Sequence, residues 1–117
     1  MDLVIDTTER GKIKLALFHQ HKLLAKLEKE TDKVSEFILL EIERLLKKSK
    51  IKLHDLEQIS VNPGPGGFSS TRTGVAVANA LAYALGIPVA ESQSGKIKEM
   101  IVPKYDKQPN ITKAKKQ

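Results

Sequence analysis

The pattern of apolar residues at the start of the chain predicts three β-strands. Residues 3–6 form a short apolar run that ends in polar residues, which is typical of a buried strand. In residues 12–18 large aliphatic side chains alternate with lysine or alanine, and residues 22–30 repeat this period of two more weakly. Because only short links join the three segments, we expect them to form an antiparallel meander.

Residues 31–50 are predicted to form an amphipathic helix. Thr31 or Asp32 is expected to cap its first turn. Phe37 and Leu40 fall on a strip that charged residues divide from the main apolar arc, so we expect a second surface to cover them. The main arc comprises Val34, Ile38, Leu39, Ile42, Leu45 and Leu46.

The second half of the chain predicts a strand, a helix and a final strand. A short helical turn and a strand are expected within residues 53–61. Residues 73–90 carry no charge, and Gly86 followed by Pro88 marks the end of a helix in this run. A last strand is expected at residues 87–91. The predicted fold is therefore an α/β domain with a mixed five-stranded sheet and two main helices.

The segment "NPGPGGFSSTRTG", residues 62–74, is the densest motif of the chain. Its glycines allow a tight connection, and Ser69 or Ser70 can cap the helix that follows. The spacings of a Walker loop, a dinucleotide-binding loop and a G-x-S-x-G elbow are all absent. We therefore predict a structural loop rather than phosphate binding, with Gly64, Gly66, Gly67 and Gly74 as its structural glycines.

No catalytic residue, metal site or cofactor site is predicted. His19 and His21 share a strand face, but no further ligand stands near them in the sequence, and His54 lies in a polar link. The hydroxyl residues 69–71 lack a base that would activate one of them as a nucleophile.

Charge separates the end of the chain from the rest. The chain has 117 residues and a net charge of +6, and residues 103–117 carry five lysines against one aspartate. We expect a folded domain over residues 1–102 and a basic, disordered tail over residues 103–117. The tail is predicted to be solubilising, with a weak electrostatic contact to RNA as the alternative. The lack of cysteine, of a signal peptide and of a strongly hydrophobic span favours a cytoplasmic protein without a membrane contact.

The residues after Pro63 carry a resemblance to a known family. "GPGGFSSTRTGVAVANALAYALGIPV" is similar to the glycine segment and following helix of the TsaB (YeaZ) family, which helps to make threonylcarbamoyladenosine at position 37 of ANN-decoding tRNAs. "VIDTTERG" and "VSEFILLEIERLL" resemble the first strand and first helix of that family. The likeness runs from residue 1 to near residue 95. It implies one lobe of the actin-like, ribonuclease-H-like ATPase fold.

The sequence also departs from the pattern of that family. Gly67 stands where the family has serine, Ser70 stands where it has glycine, and family members continue into a second lobe. By resemblance, Asp6, Thr7 and Thr8 correspond to a phosphate loop. We expect this loop to be vestigial, because one lobe cannot enclose a nucleotide.

The resemblance implies a non-catalytic partner of a TsaD-like enzyme. Members of the TsaB family use two helices to pair with TsaD or with themselves, and we carry this role to a predicted partner face. On a helical wheel, Val77, Leu81, Ala84 and Leu85 are expected to face the sheet instead. Two alternatives stay open, a basic-tailed RNA-binding module and a free-standing nucleotide-binding lobe. The predicted partner face comprises Phe37, Leu40, Phe68, Arg72, Val75, Ala76, Asn79 and Tyr83.

Overall fold

The computed structural model describes residues 1–104, in which a mixed sheet carries two helices on one face. The strand order is β3-β2-β1-β4-β5-β6. Helix α1 packs on β2, β3 and α2, while α2 packs on β1, β4 and β5, so both helices cover the same side of the sheet. The elements are β1 Asp2–Asp6, β2 Lys12–His19, β3 Lys22–Glu30, α1 Val34–Lys48, a 3₁₀ turn Leu53–Asp55, β4 Gln58–Val61, α2 Phe68–Leu85, β5 Val89–Glu91 and β6 Ile97–Lys98.

The register of the strands lines up one buried row beneath the helices. In the antiparallel pair of β1 and β2, Leu3 lies opposite Leu17 and Ile5 lies opposite Leu15. The parallel pair of β1 and β4 places Leu3 beside Ile59. All five side chains are buried, because alternation sends every second residue to the same face. The predicted α/β class, the meander and the two main helices are thus confirmed.

Helix α1 buries every residue of the predicted arc except Leu39. Glu41 is buried and its carboxylate lies 3.6 Å from the Arg44 guanidinium, whereas Leu39, which the arc placed inside, is 57% exposed. The predicted cap is also wrong, since Lys33 occupies the N-cap position without a side-chain hydrogen bond. The Thr31 hydroxyl instead accepts a hydrogen bond from the Lys33 N–H at 3.0 Å, which closes the turn before the helix.

Helix α2 begins earlier than the uncharged run, at Phe68, and its N-cap is Gly67 rather than a serine. It ends at Leu85 as expected, because Gly86 adopts the left-handed conformation with φ of 67°. The wheel assignment is wrong in part. Small residues face the sheet, Leu81 is only partly buried and Ala84 is exposed. The buried residues of α2 are Thr71, Gly74, Val75, Ala78 and Ala82.

The sheet has six strands rather than the five expected from the sequence. The added strand β6 begins a segment, residues 97–104, that we call the C-terminal strap. Ile101 of the strap is 1% exposed and belongs to the main core. The Lys104 N–H donates to the Pro63 carbonyl, so the strap is bonded to the glycine loop. The predicted tail begins at residue 103, and residues 105–117 of it lie outside the described part, so that prediction is untested.

In the part of the chain that the structure describes, no helix combines the length and the apolar character needed to cross a membrane.

Candidate functional site

The glycine loop packs directly on the turn that follows β1. The Gly67 N–H donates to the Thr8 carbonyl at 2.8 Å, and the Thr7 hydroxyl donates to the Ser70 carbonyl at 2.5 Å. A Cβ on Gly66 would overlap Thr8, and one on Gly74 would overlap the Thr7 hydroxyl. The glycines therefore permit a close approach between the start of α2 and the end of β1.

The carboxylate of Asp6 is engaged within its own loop. Its Oδ1 accepts hydrogen bonds from the N–H of Thr8 at 2.9 Å and from the Thr8 hydroxyl at 2.6 Å. Its Oδ2 accepts a hydrogen bond from the Asn62 side-chain amide at 3.1 Å. Asp6, Thr7 and Thr8 thus form a hydrogen-bonded turn. A nucleotide bound here would have to compete for the same polar atoms. A cavity of about 510 Å³ lies next to this turn, lined by Arg10, Gly11, Asp32, Val34, Gly67, Phe68, Ser69 and Ser70.

Several residues of the predicted partner face lie together on the exposed side of α2. Tyr83 is 91% exposed and Phe68 is 56% exposed. The Arg72 guanidinium lies over the Phe68 ring, 5.1 Å from its centroid, and Ala76 is exposed on the same side of the helix. Leu40 is exposed on the neighbouring helix α1.

Three other predicted residues do not offer a free surface. Val75 is only 2% exposed because its side of α2 packs on the sheet, so its assignment to the partner face is wrong. Asn79 exchanges two hydrogen bonds with Ile101 of the strap. Phe37 is partly buried beneath Lys29 of β3, whose ammonium lies 5.5 Å from the ring centroid.

The structure also shows an apolar groove that the sequence analysis missed. It has a volume of about 600 Å³ and runs between α1 and α2 toward the 3₁₀ turn. Leu39 and Leu53, 57% and 45% exposed, stand at its rim. The sequence pattern places Leu39 in the core arc of α1. Its signal for the groove is therefore an apolar arc that is wider than one core face requires. The groove is lined by Leu39, Leu40, Ile42, Glu43, Leu46, Lys47, Ile51, Lys52, Leu53 and Leu81.

Charged groups of the sheet and its turns form hydrogen-bonded pairs. Glu91, at the end of β5, is buried, and its carboxylate accepts hydrogen bonds from Lys98 at 3.0 Å and from Ser94 at 2.9 Å. The bond from Lys98, followed by that from Ser94, holds the pKa of Glu91 below its ordinary value. Hydrogen bonds from Lys14 and then Lys12 lower the pKa of Glu9 in the same way.

The histidines are all exposed, and none of them joins a cluster. Over residues 1–104, no group of three or more histidine, aspartate or glutamate side chains is arranged to hold a metal ion. His54 lies 3.7 Å from the neighbouring Asp55. His19 ends β2, whereas His21 lies within the turn before β3 with a φ of 68°, so the expectation that these two share a strand face is wrong.

Comparison with known proteins gives two related groups of relatives. Residues 28–112 match the family model described as TsaD: tRNA N6-adenosine threonylcarbamoyltransferase. The tRNA N6-adenosine threonylcarbamoyltransferase of Geotalea uraniireducens (strain Rf4) is 40% identical over 55 residues, which cover 47% of this chain and 16% of that protein.

Solved structures point to YeaZ. The structure of YeaZ from Pseudomonas aeruginosa has a TM-score of 0.70 and 27% identity, over 77% of this chain and 43% of that chain. A second structure, of an uncharacterized protein with similarity to peptidase YeaZ from Pseudomonas aeruginosa, has a TM-score of 0.70 and 26% identity, over 77% and 41%. This chain therefore spans less than half the length of these relatives.

The sequence matches and the structural neighbours are consistent with each other. The resemblance to TsaB (YeaZ) is confirmed by the structural neighbours, and the sequence match covers most of the chain. The chain belongs to the family that the TsaD model, tRNA N6-adenosine threonylcarbamoyltransferase, describes.

Proposed function

We propose that this chain acts in the synthesis of threonylcarbamoyladenosine in tRNA, as a non-catalytic lobe that docks on a TsaD-like protein. The family match and the YeaZ neighbours support the pathway. A YeaZ-like fold favours a subunit of the TsaB kind, although the sequence relatives are named for the transferase itself. A second copy of this chain is the alternative occupant of the docking surface.

The observation that carries this proposal is the apolar surface on the two helices. Leu39 and Leu40 are 57% and 45% exposed on α1, on the helical layer that faces away from the sheet. Helix α2, which packs on α1, carries the small exposed side chains Ala76 and Ala80, which allow another helix to approach closely. A well-packed apolar centre with a charged rim is what a stable protein interface requires.

The non-catalytic part of the proposal follows from the chemistry of the same surfaces. The groove is lined by leucine and isoleucine, with Glu43, Lys47 and Lys52 at its margin. The turn at Asp6 uses its polar atoms internally. We therefore assign the reaction to the partner and a docking role to this chain.

The test is pairing with a purified TsaD-like protein from the same organism. Leu40→Glu should place a charge at the centre of the contact and abolish pairing, because an unpaired charge is costly to bury. The matched control is Leu24→Glu, since Leu24 is 49% exposed and lies on strand β3 rather than on a helix. Pairing is measured by size-exclusion chromatography with light scattering.

The outcomes separate the occupants. Loss of heterodimer in Leu40→Glu, with Leu24→Glu unchanged and both variants folded, supports the proposal. Loss of a homodimer instead, with no complex formed by the wild-type chain and the TsaD-like protein, assigns the surface to a second copy. Equal pairing by both variants overturns the choice of surface.

A further inference from the structure

Lys22 and four lysines of residues 47–52 lie toward the same end of the molecule. Helix α1 starts three residues after β3 and packs back along it, so its last turn lies beside the turn that joins β2 to β3. The links at residues 49–57 lead to the start of β4, which pairs with the start of β1. We call this the basic end, and its lysines are Lys22, Lys47, Lys48, Lys50 and Lys52.

The positive charge of the basic end exceeds the negative charge of the acids beside it. All five lysines are exposed. Lys47 lies 4.0 Å from Glu43, but no carboxylate within residues 1–104 comes within 4.0 Å of the ammonium groups of the other four. Glu57 is paired with the Met1 amine. Asp2 at the start of β1 and Asp55, which accepts a hydrogen bond from the neutral backbone N–H of Lys52, keep their negative charges, so four lysines without an acidic partner face two such carboxylates.

Positive charge at the C-terminus of a helix also has a structural explanation. Lys47 and Lys48 complement the negative end of the α1 dipole. That explanation does not extend to Lys22, which begins β3, or to Lys50 and Lys52, which lie beyond the helix. Lysines on three separate segments form an extended positive surface, which suits a polyanion better than a single small anion.

We propose that the basic end binds the phosphodiester backbone of RNA. The proposal rests on the proposed function, because a complex that modifies tRNA gives such a surface its ligand. It differs from the predicted contact through the tail, since it uses only residues of the folded domain. Lys47 and Lys52 also line the apolar groove, so RNA held here lies beside the docked partner.

The experiment measures binding of an unmodified tRNA transcript to the full chain by fluorescence anisotropy over a range of salt concentrations. Lys22→Glu/Lys48→Glu changes two segments of the basic end and leaves the groove residues in place. We expect its affinity to fall about tenfold or more, and the salt slope of log K to become shallower by about 2. The variant Lys22→Gln/Lys48→Gln/Lys50→Gln tests the same surface without placing an acid at the helix terminus.

The matched control is Lys33→Glu/Lys96→Glu, which has the same net charge but changes the opposite end of the molecule. If this control variant binds the tRNA transcript with an affinity within twofold of the wild type, the proposal is supported. Equal losses in both charge-reversal variants would mean attraction by net charge alone and would overturn it, as would unchanged affinity in the basic-end variants. Sedimentation with vesicles of phosphatidylcholine and phosphatidylserine provides the other test. Binding to vesicles with the same lysine dependence, and none to tRNA, assigns the surface to a membrane.

Failure of this proposal can be told apart from failure of the proposed function. The basic-end variants are expected to pair with the TsaD-like protein as well as the wild type does. If they pair but bind tRNA normally, only the RNA surface is wrong. If the wild-type chain binds tRNA through these lysines but never pairs, only the docking role is wrong.

Discussion

Asn79 and Ile101 are joined by two hydrogen bonds, one in each direction. The Asn79 side-chain amide donates to the Ile101 carbonyl at 2.9 Å, and the Ile101 N–H donates to the Asn79 Oδ1 at 2.9 Å. A single side chain of α2 thus substitutes for a strand partner at the point where Ile101 enters the core. This arrangement makes the polar residue within the uncharged run a structural one.

Asn79→Ala is expected to destabilise the domain, because it leaves a buried N–H and a buried carbonyl of the strap without partners. The expected loss is about 1–3 kcal/mol in the free energy of unfolding. Urea denaturation measures it, and hydrogen exchange at the Ile101 amide should accelerate more than at core amides. Ala80→Ser, on the exposed side of the same helix, is the control and should change little. An equal loss in both variants would argue against a specific clamp.

Truncation tests where the domain ends. Deletion of residues 105–117 is expected to leave the melting temperature unchanged, because their sequence has no apolar pattern to bury. Deletion from residue 97 onward also removes Ile101 and strand β6, so it should lower the stability by several kcal/mol (about 2–5 for the buried isoleucine). Differential scanning calorimetry compares the two. A large loss in the shorter deletion would show that residues after 104 pack on the domain.

Gly74→Ala should be destabilising, although alanine is ordinarily better than glycine within a helix by about 1 kcal/mol. The added Cβ would overlap the Thr7 hydroxyl, whose own hydrogen bond ties β1 to α2. Combining Gly74→Ala with Thr7→Ala should recover part of the loss, since the second change removes the overlapping atom. A double-mutant cycle of unfolding free energies measures this coupling, and strict additivity would contradict the proposed overlap.

The ion pair of Glu91 predicts a pH dependence of stability. The pKa of Glu91 lies below its ordinary value of 4.5 because Lys98 and Ser94 donate hydrogen bonds to the carboxylate. The folded chain therefore holds this proton more weakly than the unfolded chain does. The stabilisation is complete well above pH 4.5 and is lost as the pH falls through the lower folded-state pKa.

Glu91→Gln should accordingly be less stable than the wild type at neutral pH, and the difference should shrink in acid. Urea midpoints measured from about pH 7 to about pH 3 give the comparison. Glu99→Gln is the control, because Glu99 is exposed in the strap. A difference that is constant over this range would rule out the ion pair as its source.

The turn between β2 and β3 offers a gain in stability. Gln20 and His21 both have positive φ, 50° and 68°, as a two-residue type I′ turn requires. Asn-Gly suits these angles better, so Gln20→Asn/His21→Gly should add about 1 kcal/mol and raise the melting temperature by about 4–8 °C. Gln20→Val, which opposes the same conformation, should lower it. A fall in melting temperature for the Asn-Gly variant would contradict the turn assignment.

Strand periodicity and the apolar arc of α1 were sound guides to this fold, whereas the orientation of α2 was predicted only in part. A short apolar run located β1, and alternation located β2 and β3, because one face of each of these two strands is less exposed than the other. The uncharged run of α2 gave no polar stripe by which to orient it, so the larger side chains were assigned to the sheet. The structure instead places Gly74, Ala78 and Ala82 there, because β1 and α2 approach closely at Thr7.

The candidate site was also predictable only in part. Exposed members of the predicted partner face, such as Leu40 and Tyr83, could be found from the sequence because charged residues or a helical period set them apart. Val75 and Asn79 could not be assigned, since their environment depends on the sheet and on a strap that is distant in the sequence. The basic end depends on the same kind of long-range folding, which brings Lys22 and Lys48 to one end.

The central position of β1 in the sheet has a consequence for the order of folding. β1 pairs with β2 across a short turn, but its other neighbour, β4, begins more than fifty residues later in the chain. The meander of β1, β2 and β3 can therefore form from local contacts, while the parallel half of the sheet must wait for loop closure across α1. Within residues 1–104 Ile101 is the last core residue in the sequence, and its hydrogen bonds with Asn79 require α2 to be in place. A kinetic intermediate with a protected meander and an exchanging strap is the species that this topology favours.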